Sequence, residues 1–475
     1  MPTRYGLWLG LALLTAPPSL CADPATLASI DARYDETARI ARSLWEFAEV
    51  GYLERKSTQL LQQALADEGF RVTPGVGGMP TAFMAEFGKG EPVIGILAEM
   101  DALPGINQDS VPERSPIRGK LAAHACGHNL FGAGSVTAAV AIRHYLERTA
   151  RPGTVRVYGT PAEEGGSGKV YLVRAGLLDD VDIAMHWHPS DENTARARTS
   201  LANRSAKFRF RGRSAHAAGA PEKARSALDG VEAFNFMANL MREHVPQQTR
   251  MHYVITQGGL APNVVPDFAE VFYYLRHPDS ATLTELWARL EQAARAAALG
   301  TGTEVDWEII HGNHPIVVNE ILHKIADVKL QAIGGVRYDA DERAFADRIY
   351  ATLAAPTATI DSAAEIQPYD VSLGYGSTDV GDVSIKVPTV GVRAATWVPG
   401  TPSHSWQAAA AGGTSIGFKG AQVAAKALAL TAIELYEDPT IVAAAKAEHA
   451  ERVGDDFVYE ALLGDRAPPL NYRVR

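Results

Sequence analysis

Four short clusters carry residue types that bind metals or move protons. They are His124-Ala125-Cys126-Gly127-His128-Asn129, the pair Glu163-Glu164, His186-Trp187-His188, and His404 within Thr401-Pro402-Ser403-His404-Ser405. A thiolate and an imidazole two residues apart, with Gly127 free to turn the loop between them, can grip one zinc-like ion. The alternative is a buried cysteine between two loop histidines. Adjacent carboxylates after a strand point in different directions, so one can bind metal while its neighbour reaches a water. The alternative there is a solvated acidic turn. Alternate residues of a strand share a face, so His186 and His188 can point the same way. Taken alone, His404 reads as a solvent-facing loop histidine. One dinuclear site accounts for all four clusters at once, whereas the separate readings must each hold independently.

The elements carrying these clusters have to converge. Residues 93–98 form a short, continuous apolar run, as expected of a strand buried on both faces, and it ends in Glu99-Met100-Asp101. Residues 155–160 form a second run just before Glu163, and 183–185 lead into His186. A helical stretch over 130–146 follows the cysteine loop. Strand, polar loop and helix in repetition predict an α/β domain with a mainly parallel sheet and helices on both faces. Ligands of such sheets bind beyond the carboxyl ends of the strands, which is where these clusters fall. Residues 27–68 have helical apolar spacing, and 72–87 read as strand turning through Gly75-Val76-Gly77-Gly78.

The middle of the chain has a different pattern. Residues 207–211 alternate strictly, so one face is solvated. A helix over 224–242, strands over 252–257 and 269–275, a helix over 283–298 and a strand over 305–310 follow. That order is the ferredoxin-like split pattern. Residues 201–314 therefore read as an inserted domain, flanked by a first domain built from 23–200 and 315–475.

Composition limits the function classes. The chain has 475 residues, a formal net charge of -10 and no Lys/Arg cluster, so nucleic acid is excluded as a partner. Arg4 followed by an apolar run and Ala22 reads as an export signal over 1–22, with Asp23 as the mature start and a periplasmic or secreted destination. Cys21 offers lipid anchoring as the alternative. No further stretch reads as a membrane span. Of the two cysteines, only Cys126 survives signal removal, and a lone thiol in an oxidising compartment needs protection such as a metal gives. His-Glu-x-x-His, Gly-x-Ser-x-Gly and phosphate-loop motifs are all missing from the sequence.

The run Ala98-Glu99-Met100-Asp101-Ala102-Leu103-Pro104-Gly105, the Cys126-Gly127-His128 loop and Pro161-Ala162-Glu163-Glu164-Gly165-Gly166 resemble the amidohydrolase branch of the dinuclear metallopeptidases. Gly212-Arg213-Ser214-Ala215-His216-Ala217-Ala218 and Gly376-Ser377-Thr378-Asp379-Val380-Gly381-Asp382 fit too. That branch includes aminobenzoyl-glutamate, hippurate and auxin-conjugate hydrolases. The resemblance implies hydrolysis of N-acyl or N-aroyl amino acids or small dipeptides with two divalent ions per subunit, zinc first and manganese or cobalt next. It implies Cys126, His128, Glu164, His188 and His404 as ligands, Glu163 as general base and Asp101 as the residue that orients a ligand. It further implies a homodimer formed through the inserted domain, with His216 reaching the partner's active site and Asn263 and Arg276 holding a substrate carboxylate.

Three positions depart from that pattern. Asn129 stands where the branch commonly has Asp, His186 is an extra histidine beside the expected ligand, and Glu99 occupies a position that is a ligand histidine in the aminopeptidase branches. Two competing readings stay open on sequence: a non-catalytic exported binding protein, and a hydrolase using Cys126 as nucleophile.

Overall fold

The computed structural model of the protein describes residues 23–473; the expected signal at 1–22, with Cys21, lies outside the described residues. Strands β1 (Arg71–Pro74), β2 (Phe83–Lys89), β3 (Val93–Glu99), β4 (Gly153–Thr160) and β5 (Ile183–Ser190) precede the middle region. That region holds β6 (Ala202–Arg211), β7 (Arg250–Gln257), β8 (Phe268–His277) and β9 (Glu304–Asn313), and β10 (Thr389–Ala395) comes after it.

Six of these strands form one sheet in the order β1-β2-β4-β3-β5-β10. The β4-β3, β3-β5 and β5-β10 pairs are parallel, and β1-β2 and β2-β4 are antiparallel. Every residue of β4 is buried, so both sheet faces are covered. The spacing of helix His128–Thr149 from the sheet is set by small residues: a Cβ on Gly134 would sit 2.8 Å from the Trp187 ring. This is the expected mainly parallel α/β architecture.

The helical spacing over 27–68 resolves into three helices, Pro24–Ala32, Tyr34–Phe47 and Arg55–Asp67. The last break comes at the left-handed residues Ala48 and Tyr52. One reading is corrected. Helix Ser415–Glu437 is long and apolar enough to cross a membrane, but 83% of its most apolar window is buried inside the molecule. It is a core helix, apolar all round because protein surrounds it.

The middle region folds as β6, helix Ala227–Met241, β7, β8, helix Ser280–Thr301, β9, with sheet order β7-β8-β6-β9 and antiparallel pairing throughout. This is the ferredoxin-like arrangement. Phe208 and Phe210 point from β6 into a core with Phe234, Tyr273 and Trp287. Arg209, on the other face, pairs with Glu270 at 2.9 Å and Glu308 at 2.8 Å. Strand β7 is an edge.

Candidate active site

The carboxyl ends of the parallel strands deliver the reactive groups to one place. Glu99 ends β3, Glu163 and Glu164 follow β4, and His186 and His188 lie on β5. Trp187 between them turns into the core and donates its indole N–H to the Phe131 carbonyl at 3.1 Å, which sends both histidines to the opposite face. Cys126 immediately precedes Gly127, whose φ of 81° lets the chain turn into helix His128–Thr149. A cavity of about 530 Å³ is lined by Cys126, Glu163, Glu164, His188, His404 and Arg276, among others.

The hydrogen bonds determine which ring nitrogens face that cavity. Carboxylate and carbonyl oxygens only accept. The His128 Nδ1–H therefore donates to Asp101 Oδ1 at 2.9 Å, and the His188 Nδ1–H donates to the Pro189 carbonyl at 2.7 Å. In both rings this leaves Nε2 as the nitrogen turned to the cavity, the one a metal would take. His188 Nε2 lies 3.5 Å from Cys126 Sγ, and His404 Nε2 lies 3.3 Å from Glu164 Oε1. Asp101 Oδ2 accepts from the Glu164 backbone N–H at 2.9 Å, so one carboxylate ties the cysteine-loop helix to the glutamate turn.

Donor atoms of Cys126, His128 and His188 all lie within 4.8 Å of one another, as do those of Cys126, Glu164 and His404, and those of His128, Glu163 and Glu164. Overlapping sets of this kind suit two neighbouring cations. His128 Nε2 and Glu164 Oε1 are buried without a hydrogen-bond partner. Unpartnered buried donors and acceptors are costly, and a bound metal satisfies them. One thiol, three imidazoles and a carboxylate form a borderline-soft donor set.

The electrostatics assign different states to the two glutamates. Burial, together with the charges of Glu99 and Glu164, raises Glu163 well above the usual carboxylate range. Burial acts on Glu164 too, but the neighbouring His404 and His128 imidazoles hold it below that range. Burial and the Arg393 charge lower His188 to about 3, keeping it neutral. Burial raises the Cys126 thiol and the Glu164 charge adds to this, the reverse of what an activated nucleophile needs. Left-handed backbone at Ala162 (φ 57°), Ser167 (φ 58°) and His404 (φ 59°) brackets the site. Such strain in non-glycine residues clusters where geometry has a function.

A sequence model of Peptidase family M20/M25/M40 matches residues 95–405. The chain belongs to this family. It is accordingly a hydrolase of amide bonds. The chain is 36% identical to one of the subunits of the p-aminobenzoyl-glutamate hydrolase of Escherichia coli over 468 residues, which cover 93% of this chain and 97% of that protein. It is 30% identical to the Xaa-Arg dipeptidase of Mus musculus, over 88% of this chain and 90% of the relative. Its fold is shared with a dinuclear metal binding peptidase of the family from Bacillus subtilis, with a TM-score of 0.57 at 18% identity, covering 86% of this chain and 99% of that one.

Set against the family pattern, the expected site residues divide into two groups. Cys126, His128, Glu163, Glu164, His188 and His404 converge, with Asp101 behind them, and Arg276 lines the same cavity. His404 is thus not the free loop histidine that its isolation suggests. His216 and Asn263 do not line the cavity of their own chain. They sit together at one end of the inserted region, where the Ala217 N–H donates to the Asn263 carbonyl at 3.0 Å. His124 is structural: its Nε2–H donates to the Leu44 carbonyl at 3.0 Å. Asn129 is structural as well, its amide donating to the carbonyls of Ala41 and Gly412 at 3.1 and 2.9 Å. His186 reaches the cavity wall but belongs to none of the donor sets within 4.8 Å.

Lys169 and its pairing with Asp379 are additions that sequence reasoning missed. Lys169 Nζ lies 2.7 Å from Glu99 Oε1 and 2.7 Å from Asp379 Oδ1, all three fully buried. Lys169 neutralises Glu99, whose other oxygen lies 3.0 Å from His128 Nε2. Glu99, Glu163 and Asp379 form a further cluster with donor atoms within 4.8 Å of one another. The only signal in the sequence was a lysine just after the Glu163-Glu164 turn, beside a glycine-rich stretch.

Proposed function

We propose that the protein hydrolyses the amide bond of N-acyl or N-aroyl amino acids, aminobenzoyl-glutamate-like, or of small dipeptides. What carries the reading is the convergence of Cys126, His128, Glu163, Glu164, His188 and His404 in overlapping donor sets on one cavity. Two adjacent carboxyl groups there suit one to proton transfer and the other to holding a cation.

Cys126, His128, Glu164, His188 and His404 would hold two divalent ions. Zinc is preferred by the thiolate and imidazoles, and manganese or cobalt are alternatives. Bound there, the ions supply Lewis acidity that makes a water acidic enough to react near neutral pH. Glu163 takes a proton from the attacking water and hands it to the leaving nitrogen as the C–N bond breaks. The products are a carboxylic acid and a free amino group. Asp101 keeps His128 and the Glu164 turn in place during these events. Arg276 would hold a substrate carboxylate, joined by Asn263 of the partner subunit, which would arrive beside the partner's His216.

The protein would act as a homodimer. Exposed apolar residues cluster on the inserted region: Val254 and Ile255 on edge strand β7, Phe236 and Leu240 on helix Ala227–Met241, and Leu260 and Val264 in the following loop. His216 adjoins Val264 in a β-bridge. A second copy covering this face would bring its His216 toward the neighbouring cavity, where an imidazole can polarise the scissile carbonyl. Export with a mature start at Asp23 remains part of the reading, with protein sequencing of the secreted chain as its check.

A binding protein has no need of a proton-transfer carboxyl group inside its cavity, and a cysteine nucleophile is disfavoured by a raised thiol pKa. The direct test is incubation with N-benzoyl amino acids, N-acetyl amino acids and dipeptides, with detection of newly freed amine. Release of amine supports the reading. Binding without release would favour a binding protein.

A further inference from the structure

The cavity carries more positive charge than this reaction uses. Arg198, Arg276 and Arg393 all line it, and among the described residues none of their guanidinium groups has an ion-pair or side-chain hydrogen-bond partner. Arg276, on β8, stacks over the Tyr274 ring at 5.4 Å, and its Nε is buried without a partner. Arg393, on β10, stands in register with His188 of β5. After burial itself, the like charge of Arg198 is the largest influence depressing the Arg393 pKa. The nearby acids are already engaged elsewhere. Glu192 pairs with Arg196 at 3.2 Å, and Asp191 accepts from the Gly400 N–H at 3.0 Å.

Two unpaired guanidinium groups on the wall of one cavity repel each other and lose hydration, a standing cost that an anion relieves. Guanidinium matches carboxylate geometry with two parallel N–H···O bonds. Arg276 offers one anion site from the inserted region, and Arg393 of the main sheet, with Arg198 of the short strand Ala197–Thr199, offers a second. The reactive cluster lies in the same cavity as both.

We infer that the substrate is a dianion, the amide of an acidic amino acid, with one carboxylate at Arg276 and its side-chain carboxylate at the Arg198–Arg393 pair. The inference rests on the amide-hydrolase reading and deepens it. The Escherichia coli and Mus musculus relatives bear names pointing to opposite charges, a glutamate conjugate and an arginine dipeptide; the cavity's own charge favours the acidic one. A basic side chain at the Arg198–Arg393 pair would meet like charge, which costs affinity.

The test compares N-benzoyl-L-glutamate with N-benzoyl-L-glutamine and N-benzoyl-L-arginine, as kcat/KM for the metal-loaded enzyme. The glutamate conjugate is expected to lead glutamine by about tenfold or more and arginine by a wider margin. In Arg198→Gln/Arg393→Gln the glutamate-to-glutamine ratio should fall toward one, and Arg393→Lys should retain part of it. Circular dichroism and metal content identify any variant that has failed to fold. Equal kcat/KM for the glutamate and glutamine conjugates, or an unchanged ratio in the double variant, overturns the inference while leaving amide hydrolysis intact. If no amide is cut, the hydrolase reading fails, and calorimetric titration of Glu163→Gln with the glutamate and glutamine conjugates still decides the matter. Tighter binding of the glutamate conjugate supports the dianion site, and equal binding overturns it.

Discussion

Asp101 Oδ1 lies 2.9 Å from His128 Nδ1, and that contact decides which ring nitrogen of His128 faces the cavity. The same carboxylate holds the Glu164 N–H at 2.9 Å. Asp101→Asn keeps the volume but lets the amide present a donor to the ring, which permits the wrong tautomer. Metal affinity or activity should fall by roughly 10–100-fold, read by competition titration with a chromophoric chelator.

Lys169 is the sole lysine or arginine within ion-pair reach of Glu99 and Asp379 among the described residues. Lys169→Met leaves two buried carboxylates without that counter-charge. A loss of about 3–5 kcal/mol is expected, seen as a lower denaturant midpoint in both metal-loaded and chelated protein.

Asp382 provides a pH signature away from the donor cluster. Burial raises it from 3.8 to about 6, although the His314 N–H and the Tyr459 hydroxyl donate to it. Because the folded-state pKa lies above the unfolded one, the folded state favours the neutral acid. Its contribution is fully present below about pH 4 and is lost as pH rises through 6, on the order of 3 kcal/mol in all. Asp382→Asn should remove that component from the stability–pH curve between pH 4 and 6, measured by denaturant titration at several pH values.

Delivery of His216 by a second copy of the chain can be tested by complementation. Glu163→Gln and His216→Ala are each expected to be nearly inactive. In a mixed dimer one of the two sites is complete, so an equimolar mixture after subunit exchange should regain roughly a quarter of wild-type activity by symmetry. No recovery despite demonstrated exchange would place His216 outside the reaction.

The parts of the site legible in sequence are those whose geometry is local. Cys126 and His128 share one tight loop, Glu163 and Glu164 one turn, and His186 and His188 one strand, so residue type and spacing already constrained where they could point. Alternation even forces Trp187 away from the cavity. Contacts across the fold were not legible. Lys169 meets Asp379 across 210 positions, and Arg393 comes near Arg198 because β10 lies beside β5 and the chain just past β5 bridges to Arg393 at Thr194. His124 looked equivalent to His128, and what separates them is a single hydrogen bond to the Leu44 carbonyl. Helix Ser415–Glu437 shows that apolar length alone does not tell a core helix from a membrane span.

Metal analysis of the purified protein, paired with turnover before and after chelation, tests the central claim most directly. Two divalent ions per chain are predicted in the wild type, fewer in Cys126→Ser and His188→Ala, with amide hydrolysis lost on chelation and restored by adding the metal back. A protein stripped of metal that still cleaves amides at its full rate would contradict the account.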